Sequence, residues 1–318
     1  MRSGPAGDAG LQELLRQVEV RVLRAMTTRD LLAVPDSGAL APDLVHKILE
    51  YVEGVRVDVS EIHERAWAQA HSLAAVPECF PIFLLFGGDM TRGGGAPWEP
   101  DGMLAHLRDE CEKLKIAGFL ERELAIEFGN EPDLGHKRFK KNPRELGDLY
   151  GEAMRIVWEH SPKWHCLSPS ISNLDEDSLD YLRKMHLPIG AEIAFHRYPN
   201  GKDFWAPQRG FKTRGDEVAK LKEIAKGAKL WHTEGGFAQW NEDYKLSEDE
   251  QAALIGGEIR FWHDVGVEAF TLYQLNDGSW KESDSGNHKR LSTYGIRKLD
   301  GTWKRAAYTT REVRAELG

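Results

Sequence analysis

Cysteine is scarce in this chain of 318 residues, which contains only Cys79, Cys111 and Cys166. An odd count without a CxxC spacing argues against a disulfide framework and a zinc knuckle. We therefore expect the three thiols in the core. Long apolar runs are also missing, since none approaches the roughly 18 residues that a membrane span needs. The N-terminal stretch MRSGPAGDAGLQELLRQ lacks the apolar core of a signal peptide. We expect either a cytoplasmic protein or a secreted one whose leader has been trimmed.

Basic residues are fewer than acidic ones, 42 against 51. The net charge is −9 and no basic block occurs, so we expect no binding to nucleic acid or to an anionic membrane. Hydrophobic residues make up 41% of the chain and charged residues 29%, as is ordinary for a globular protein. We expect no metal and no organic cofactor. The oligomeric state is left open.

Short apolar segments rich in Val, Ile and Phe alternate with amphipathic helical patterns along the whole chain. This alternation indicates parallel βαβ units, and near-continuous apolar strands fit a sheet buried on both faces. Eight such segments over this length predict an α/β fold, a closed (β/α)8 TIM barrel. The expected strands are VEVRVLRAM, GVRVDVS, FPIFLLFGG, LAIEFGN, WHCLSPS, AEIAFHRYP, AKLWHTE and EAFTLYQLN.

An open doubly wound sheet is the alternative fold, but no GxGxxG motif follows an early strand to support it. The first strand is the least secure, because LQELLRQVEVRVLRAM also fits one long helix. We find no internal repeat and no interdomain linker, and read TRGGGAPWEPDG as a loop after the third strand. We therefore expect one catalytic domain over residues 1–318.

Two strands end in a glutamate followed by turn residues. AIEFGNEPDLG places Glu131 at the end of strand four, and AKLWHTEGGFAQW places Glu234 at the end of strand seven. The carboxyl ends of the strands form the working face of such a barrel, so both side chains should project into one mouth. Alternation along a strand predicts that His196 points to the same side as Tyr198. It likewise pairs His232 with Glu234, which would send Trp231 outward.

Two carboxylates in one partly desolvated pocket cannot both ionise cheaply, so one of them retains a proton. This arrangement suits cleavage of an acetal, in which one group protonates the leaving oxygen while the other attacks the sugar carbon. Asn130 offers an amide to a sugar hydroxyl, and a tyrosine hydroxyl near Glu234 could keep that carboxylate ionised.

GNEPD after strand four and HTEGG after strand seven resemble the paired signatures of glycoside hydrolase clan A. HRYP on strand six is similar to the His-x-Tyr of many members, and YQLNDG resembles their last strand. The resemblance implies a retaining (β/α)8 glycosidase of the cellulase-like or β-xylosidase-like kind. It makes Glu131 the acid/base, Glu234 the nucleophile, Asn130 the ligand of the 2-hydroxyl, and Tyr198 the partner of Glu234.

The chain departs from the clan pattern at two points. Many members carry a tryptophan platform at the end of strand eight, where this chain has Tyr273, Gln274 and Asn276. The arginine or histidine expected on strands two and three has no assigned match, and Arg56, Asp58 and Asp89 are candidates.

Aromatic residues in the predicted loops on this face could stack on a sugar ring. Four tryptophans fall there, Trp98, Trp205, Trp240 and Trp280. We expect at least one to serve as a platform. The predicted contacts to a carbohydrate substrate are Asn130, His196, Tyr198, His232, Trp98, Trp240 and Tyr273; for His196 and His232, a purely structural role in the barrel mouth is an equal alternative.

Two other functions stay open from the sequence. A metal-dependent barrel hydrolase could use His196, His232, Glu234 and Asp58, although the early His-x-His of the amidohydrolase type is missing. A non-catalytic carbohydrate-binding barrel is the other, but a binder has no need to keep two repelling glutamates.

Overall fold

Parallel strands alternate with helices throughout the described chain. The computed structural model describes residues 23–27, 42–58, 70–86, 99–134, 137–199, 203–278 and 285–318. The strands are β1 (Leu23–Thr27), β2 (Gly54–Asp58), β3 (Phe80–Leu85), β4 (Leu124–Phe128), β5 (Trp164–Leu167), β6 (Ile193–His196), β7 (Leu230–Gly235), β8 (Trp240–Asn241), β9 (Tyr244–Lys245) and β10 (Ala269–Leu272). The helices are α1 (Pro42–Leu49), α2 (Pro100–Ile116), α3 (Lys137–Lys141), α4 (Pro143–His160), α5 (Glu176–Met185), α6 (Arg214–Ala225), α7 (Glu248–Val265), α8 (Gly286–Leu291) and α9 (Arg305–Leu317).

Eight of these strands form one parallel sheet in the order β5-β4-β3-β2-β1-β10-β7-β6. The edge strands β5 and β6 are joined by the parallel bridges Leu167↔Glu192 and Ile171↔Phe195. The amide of His196 donates to the Ile171 carbonyl at 2.9 Å. These bonds close the sheet, so the predicted (β/α)8 barrel is confirmed. All eight expected strand segments contain a barrel strand, and β8 and β9 form a separate hairpin after β7.

Side chains alternate between the barrel interior and the helical layer, as strand geometry requires. On β4, for example, Leu124, Ile126 and Phe128 belong to the large core beneath the helices, whereas Ala125 belongs to the small inner core. The remaining residue, Glu127, shares the inward face. This alternation makes any charged residue at an inward position a part of the barrel interior.

Local capping explains where several helices begin and end. Asp175 accepts from the Ser178 amide at the start of α5, and capping boxes begin α6 at Thr213 and α7 at Ser247. Gly266 ends α7 in the left-handed conformation, which costs glycine little. No helix among the described residues is long and apolar enough to cross a lipid bilayer.

The amino ends of the strands are closed by an apolar layer with a polar cluster beside it. Phe80, Ile82, Ala125, Leu167, Ala194, Trp231 and Ala269 form the small inner core. His165 lies beside it, with Nδ1 2.8 Å from Glu192 Oε1 and Nε2 3.0 Å from Glu123 Oε1. The indole of Trp231 donates to Glu192 Oε2 at 2.7 Å. We call Glu123, His165, Glu192 and Trp231 the lower-end cluster.

Candidate active site

Glu131 lies directly after β4, and its backbone is fixed to the next strand. Its amide donates to the Ser170 carbonyl at 2.9 Å, and Asn130 forms a bridge with Ser170. The φ of Glu131 is +46°, in the left-handed region that a non-glycine residue adopts only when its surroundings impose it. The result is a carboxylate held at the mouth of the barrel, with 26% of its side chain exposed.

Asp133, two residues after Glu131, connects three parts of the chain. It is buried and accepts from the Ser172 amide at 3.1 Å, the Ser172 hydroxyl at 2.6 Å and the Ser178 hydroxyl at 2.8 Å. One carboxylate therefore ties the loop after β4 to the loop after β5 and to helix α5. The aspartate of NEPD therefore has a structural role.

Glu234 reaches the same mouth through a bulge in β7. In the pairing of β6 with β7, Phe195 lies opposite His232 and His196 lies opposite Glu234, so Thr233 is the extra residue. A bulge of this kind breaks the alternation of side chains along a strand. Thr233 and Glu234 both face inward, since the Thr233 hydroxyl donates to Glu127 Oε1 at 3.2 Å.

The bulge corrects our prediction for His232 and Trp231. His232 points to the helical layer, where its ring packs against Phe195, Phe270 and Trp262 at 4.7–5.0 Å. Trp231 is the residue that points into the barrel. Burial, followed by the charges of His196 and Arg197, lowers the pKa of His232 well below its usual value. His232 is therefore a neutral, buried residue that faces the helices, which favours the structural role over contact with substrate.

The two glycines after Glu234 allow β7 to lie close to its neighbours. A Cβ on Gly235 would lie 2.3 Å from His232 Cε1 and 2.9 Å from the Arg197 carbonyl oxygen. A Cβ on Gly236 would lie 2.4 Å from the Tyr273 carbonyl oxygen. Both positions exclude any larger residue, which accounts for the GG of HTEGG.

The structure brings Glu131 and Glu234 together across the mouth. One carboxylate oxygen of each and one ring nitrogen of His196 all lie within 4.8 Å of one another. The two glutamates are 103 positions apart in sequence, the difference between 234 and 131. The 4.8 Å limit applies to single atoms, whereas the separations that distinguish retaining from inverting glycosidases, about 5–5.5 Å and about 6.5–9.5 Å, are between whole carboxyl groups.

Glu234 receives hydrogen bonds on both oxygens. The Tyr198 hydroxyl donates to Oε1 at 2.5 Å, and Arg56 Nη1 donates to Oε2 at 3.2 Å. Burial and the nearby Glu234 charge raise the pKa of Tyr198 well above its usual value, so the phenol stays a donor. Two donors stabilise the ionised carboxylate. The Tyr198 contact is the one that the resemblance implies; its part in catalysis stays a prediction.

His196 lies beneath the two glutamates and is fully buried. Its Nδ1 is 2.8 Å from Glu131 Oε1, and its Nε2 is 3.8 Å from both Glu234 Oε2 and Glu127 Oε1. Burial lowers the pKa of His196, but the charges of these glutamates outweigh it and raise the pKa to about 10. His196 is thus an imidazolium at neutral pH. No part of the ring is exposed, which favours the structural role over contact with substrate.

Arg56 and Glu127 complete the site. The sequence predictions include Arg56 as a candidate but do not include Glu127. Both are charged residues at the centre of apolar strands, in GVRVD and LAIEF, at inward positions. That pattern is the signal that sequence reasoning passed over for Glu127. Arg56 also donates to Asn130 Oδ1 at 3.1 Å. We call Arg56, Glu127, Glu131, His196 and Glu234 the upper-end cluster.

A cavity of about 1010 Å³ opens above the two glutamates. The aromatic residues that line it are Tyr181, Tyr198, Tyr244, Tyr273 and Tyr294. The ring of Tyr273 meets Tyr198 and Tyr294 edge-on. On the Glu131 side the cavity continues past polar residues that include Ser172, Asn173, Asp177, Tyr181 and Lys184.

Tryptophan does not line this cavity in the described part of the chain. Trp240 lies half-buried on β8, with the Lys289 ammonium 5.6 Å from its ring centre. Trp205 packs beneath Arg214 and against Gly257. The tyrosines take the place that we predicted for these two residues. Trp98, Trp280 and Asp89 lie outside the described residues, as does the side chain of Asp58.

Two groupings of side chains could hold a metal ion within the described ranges. One is Glu131, His196 and Glu234, and the other is His106, Asp109 and Glu110 on α2. At the first, a cation would have to displace the proton of His196 and would lie next to Arg56. The donor set that we considered from the sequence is not assembled, because His232 faces the helices. The upper-end cluster therefore fits proton transfer better than metal binding.

Comparison with solved structures gives the same fold. A glucosidase from Croceicoccus marinus is 13% identical, with a TM-score of 0.63 over 93% of this chain and 68% of that one. An exo-β-1,4-mannosidase from Opitutaceae bacterium strain TAV5 is 16% identical, with a TM-score of 0.65 over 94% of this chain and 60% of that one. Cel5A of Thermotoga maritima, solved with cellobiose, is 13% identical, with a TM-score of 0.60 over 94% and 99%.

At these identities the likeness establishes the (β/α)8 barrel fold. The chain spans about three fifths of the length of the mannosidase. No protein-family model matches the sequence, and no curated protein matches it.

Proposed function

We propose that this chain is a retaining glycoside hydrolase of clan A that cleaves β-linked oligo- or polysaccharides, with residues 1–318 contributing one catalytic domain. The observation that carries the proposal is the approach of Glu131 and Glu234 to within 4.8 Å at the ends of β4 and β7. The motif resemblance supports it, and so does the fold shared with a glucosidase and a mannosidase.

Glu234 is the proposed nucleophile. Its carboxylate accepts hydrogen bonds from the Tyr198 hydroxyl and the Arg56 guanidinium. In the first step a Glu234 oxygen attacks the anomeric carbon, the glycosidic bond breaks, and a covalent glycosyl-enzyme forms. Glu131 gives its proton to the leaving oxygen at the same time.

Glu131 is the proposed acid/base. His196 contacts its Oε1, while Oε2 makes no hydrogen bond to a described residue and so can face the leaving group. In the second step the Glu131 carboxylate takes a proton from water, the resulting oxygen attacks the anomeric carbon, and the bond to Glu234 breaks. Two inversions return the sugar to its original configuration.

The substrate lies in the cavity above the glutamates. Tyr273 and Tyr244 provide aromatic surface on one side, and the polar wall beyond Glu131 suits a leaving group that makes hydrogen bonds. Asn130 is directed by Arg56 and is the proposed ligand of the sugar 2-hydroxyl.

A screen of nitrophenyl β-glycosides and soluble β-glucans, mannans, xylans and galactans would test the proposal. On the best substrate, proton NMR should show that the first product has the β configuration. A 2-fluoro glycoside should inactivate the protein, and mass spectrometry should find the label on Glu234. An α product, or a label elsewhere, would contradict the retaining assignment. A binder without activity would give neither result.

A further inference from the structure

Glu127 is a fully buried carboxylate inside the barrel. An ion at such a position is tolerated only when it is paired and hydrogen-bonded. Arg56 supplies both, since Nε donates to Glu127 Oε2 at 2.5 Å and Nη2 donates to Oε1 at 2.8 Å. Burial raises the pKa of Glu127, but Arg56 and His196 outweigh it and lower the pKa to about 2. Glu127 is therefore an anion at any pH at which the protein would work.

The pair between Glu127 and Arg56 fixes the direction of the other guanidinium donors. A guanidinium is planar, and two parallel bonds to one carboxylate leave it little freedom. The third nitrogen, Nη1, then points at Glu234 Oε2, 3.2 Å away. The orientation of the proposed nucleophile thus depends on a carboxylate that does not touch the cavity.

Glu127 also faces the second cation of the cluster. His196 Nε2 is 3.8 Å from Glu127 Oε1, and its Nδ1 is 2.8 Å from Glu131 Oε1. An imidazolium beside Arg56 would be repelled if no anion lay between them. Glu127 and Glu234 both lie between the two cations, and Glu127 is the one of these two carboxylates that does not line the cavity.

We propose that Glu127 is a positioning residue, which holds Glu234 through Arg56 and Glu131 through His196. Its kinetic consequence rests on the proposed function, while its effect on His196 does not. His196 faces three carboxyl groups, those of Glu127, Glu131 and Glu234. Removal of the Glu127 charge takes away one anion that faces the ring and leaves the Arg56 cation in place, which favours loss of the His196 proton.

The kinetic test compares Glu127→Gln and Glu127→Asp with the matched control Glu192→Gln. Glu192 also contacts a histidine, but at the opposite end of the barrel. We expect Glu127→Gln to lower kcat on a nitrophenyl glycoside by about 100-fold, because small misplacements of reacting groups cost this much. KM should change by less than about 3-fold. Glu127→Asp should recover part of kcat, and the control should keep kcat within about 2-fold.

The second test measures the charge of His196 without any substrate. Imidazole nitrogen NMR of the labelled protein, with the signal assigned by its loss in His196→Asn, should show a protonated ring at pH 8. In Glu127→Gln the ring should lose its proton at a pH at least one unit lower. Unchanged titration together with unchanged kcat would overturn the proposal.

The proposal can still be tested if the variant Glu127→Gln does not fold. If circular dichroism shows that Glu127→Gln is unfolded, the wild-type titration decides, since a neutral His196 at pH 7 contradicts the proposal. If wild-type protein hydrolyses no glycoside, the proposed function fails, and the titration still tests the link between Glu127 and His196.

Discussion

The two ends of the barrel carry the same chemical arrangement with opposite outcomes. At the lower end His165 lies between Glu123 and Glu192, beside an apolar layer that closes the barrel. At the upper end His196 lies between glutamates that border a cavity of about 1010 Å³. Histidine between carboxylates is therefore not in itself a sign of catalysis. The difference lies in the cavity, because Glu131 and Glu234 line it and Glu123 and Glu192 do not.

The pairing of charges differs as well. At the lower end the Trp231 indole and His165 share Glu192, and we expect a structural role. At the upper end Arg56 orients the carboxylates around it, and Glu234 keeps 14% of its side chain exposed. Exposure does not separate the two clusters, because Glu192 is likewise 14% exposed and Glu123 is 38% exposed. The upper-end cluster differs in its buried arginine, Arg56.

The sharpest test of this comparison replaces one glutamate at each end. Glu234→Gln should lower kcat by about 10⁴-fold or more, since loss of a nucleophile removes the covalent route. Glu192→Gln should leave kcat within about 2-fold. Steady-state kinetics on one nitrophenyl glycoside measures both. Comparable losses in the two variants would mean that the ends are not functionally distinct.

Glu131→Ala should lower kcat by about 10²- to 10⁴-fold on substrates with poor leaving groups. On a dinitrophenyl glycoside the first step needs no proton, so the loss should fall in the second step. Added azide should then restore turnover and give a β-glycosyl azide, detectable by NMR. If azide gave the α product, Glu131 and Glu234 would have to exchange roles.

Tyr198→Phe should lower kcat by about 10-fold, because a hydrogen bond to a charged group contributes about 1.5–3 kcal/mol. The matched control is Tyr150→Phe, which removes a hydroxyl bonded to the Cys166 carbonyl in the helical layer. Tyr150→Phe should affect the free energy of unfolding, measured by urea denaturation, and leave kcat near the wild-type value. A lower kcat in Tyr150→Phe together with an unchanged kcat in Tyr198→Phe would contradict a catalytic role for Tyr198.

The smallest expected effect concerns the lower-end cluster, and it is the pH dependence of the free energy of unfolding. Burial lowers the pKa of His165, but Glu192 and Glu123 outweigh it and raise the pKa above the usual value. A raised histidine pKa stabilises the fold fully below the unfolded value of about 6.5 and loses that contribution as pH rises through the folded value. The free energy of unfolding of the wild type should therefore be higher than that of His165→Gln, and this difference should be larger at pH 6 than at pH 9. Equal differences at both pH values would contradict the charged pair.

Much of the site was predictable because its residues follow strand ends. Glu131 follows β4 by three residues and Glu234 is the penultimate residue of β7, and the carboxyl ends of parallel strands share one face. Arg56 and Glu127 were visible as charges within apolar strands, but the sequence did not show that they pair. The predicted direction of His232 was wrong because alternation assumes a regular strand, and nothing in LWHTEGG marks Thr233 as the bulged residue.

The sequence by itself determined the succession of strands and helices, the closed parallel barrel and the two glutamates at its mouth. These features depend on local periodicity and on the direction of each strand, which neighbouring residues specify. The tertiary structure alone decided which side chains face inward around the bulge, which carboxylate Arg56 binds, and that tyrosines rather than Trp205 or Trp240 line the cavity. Those outcomes depend on contacts between residues far apart in the chain, whose distances no local pattern records.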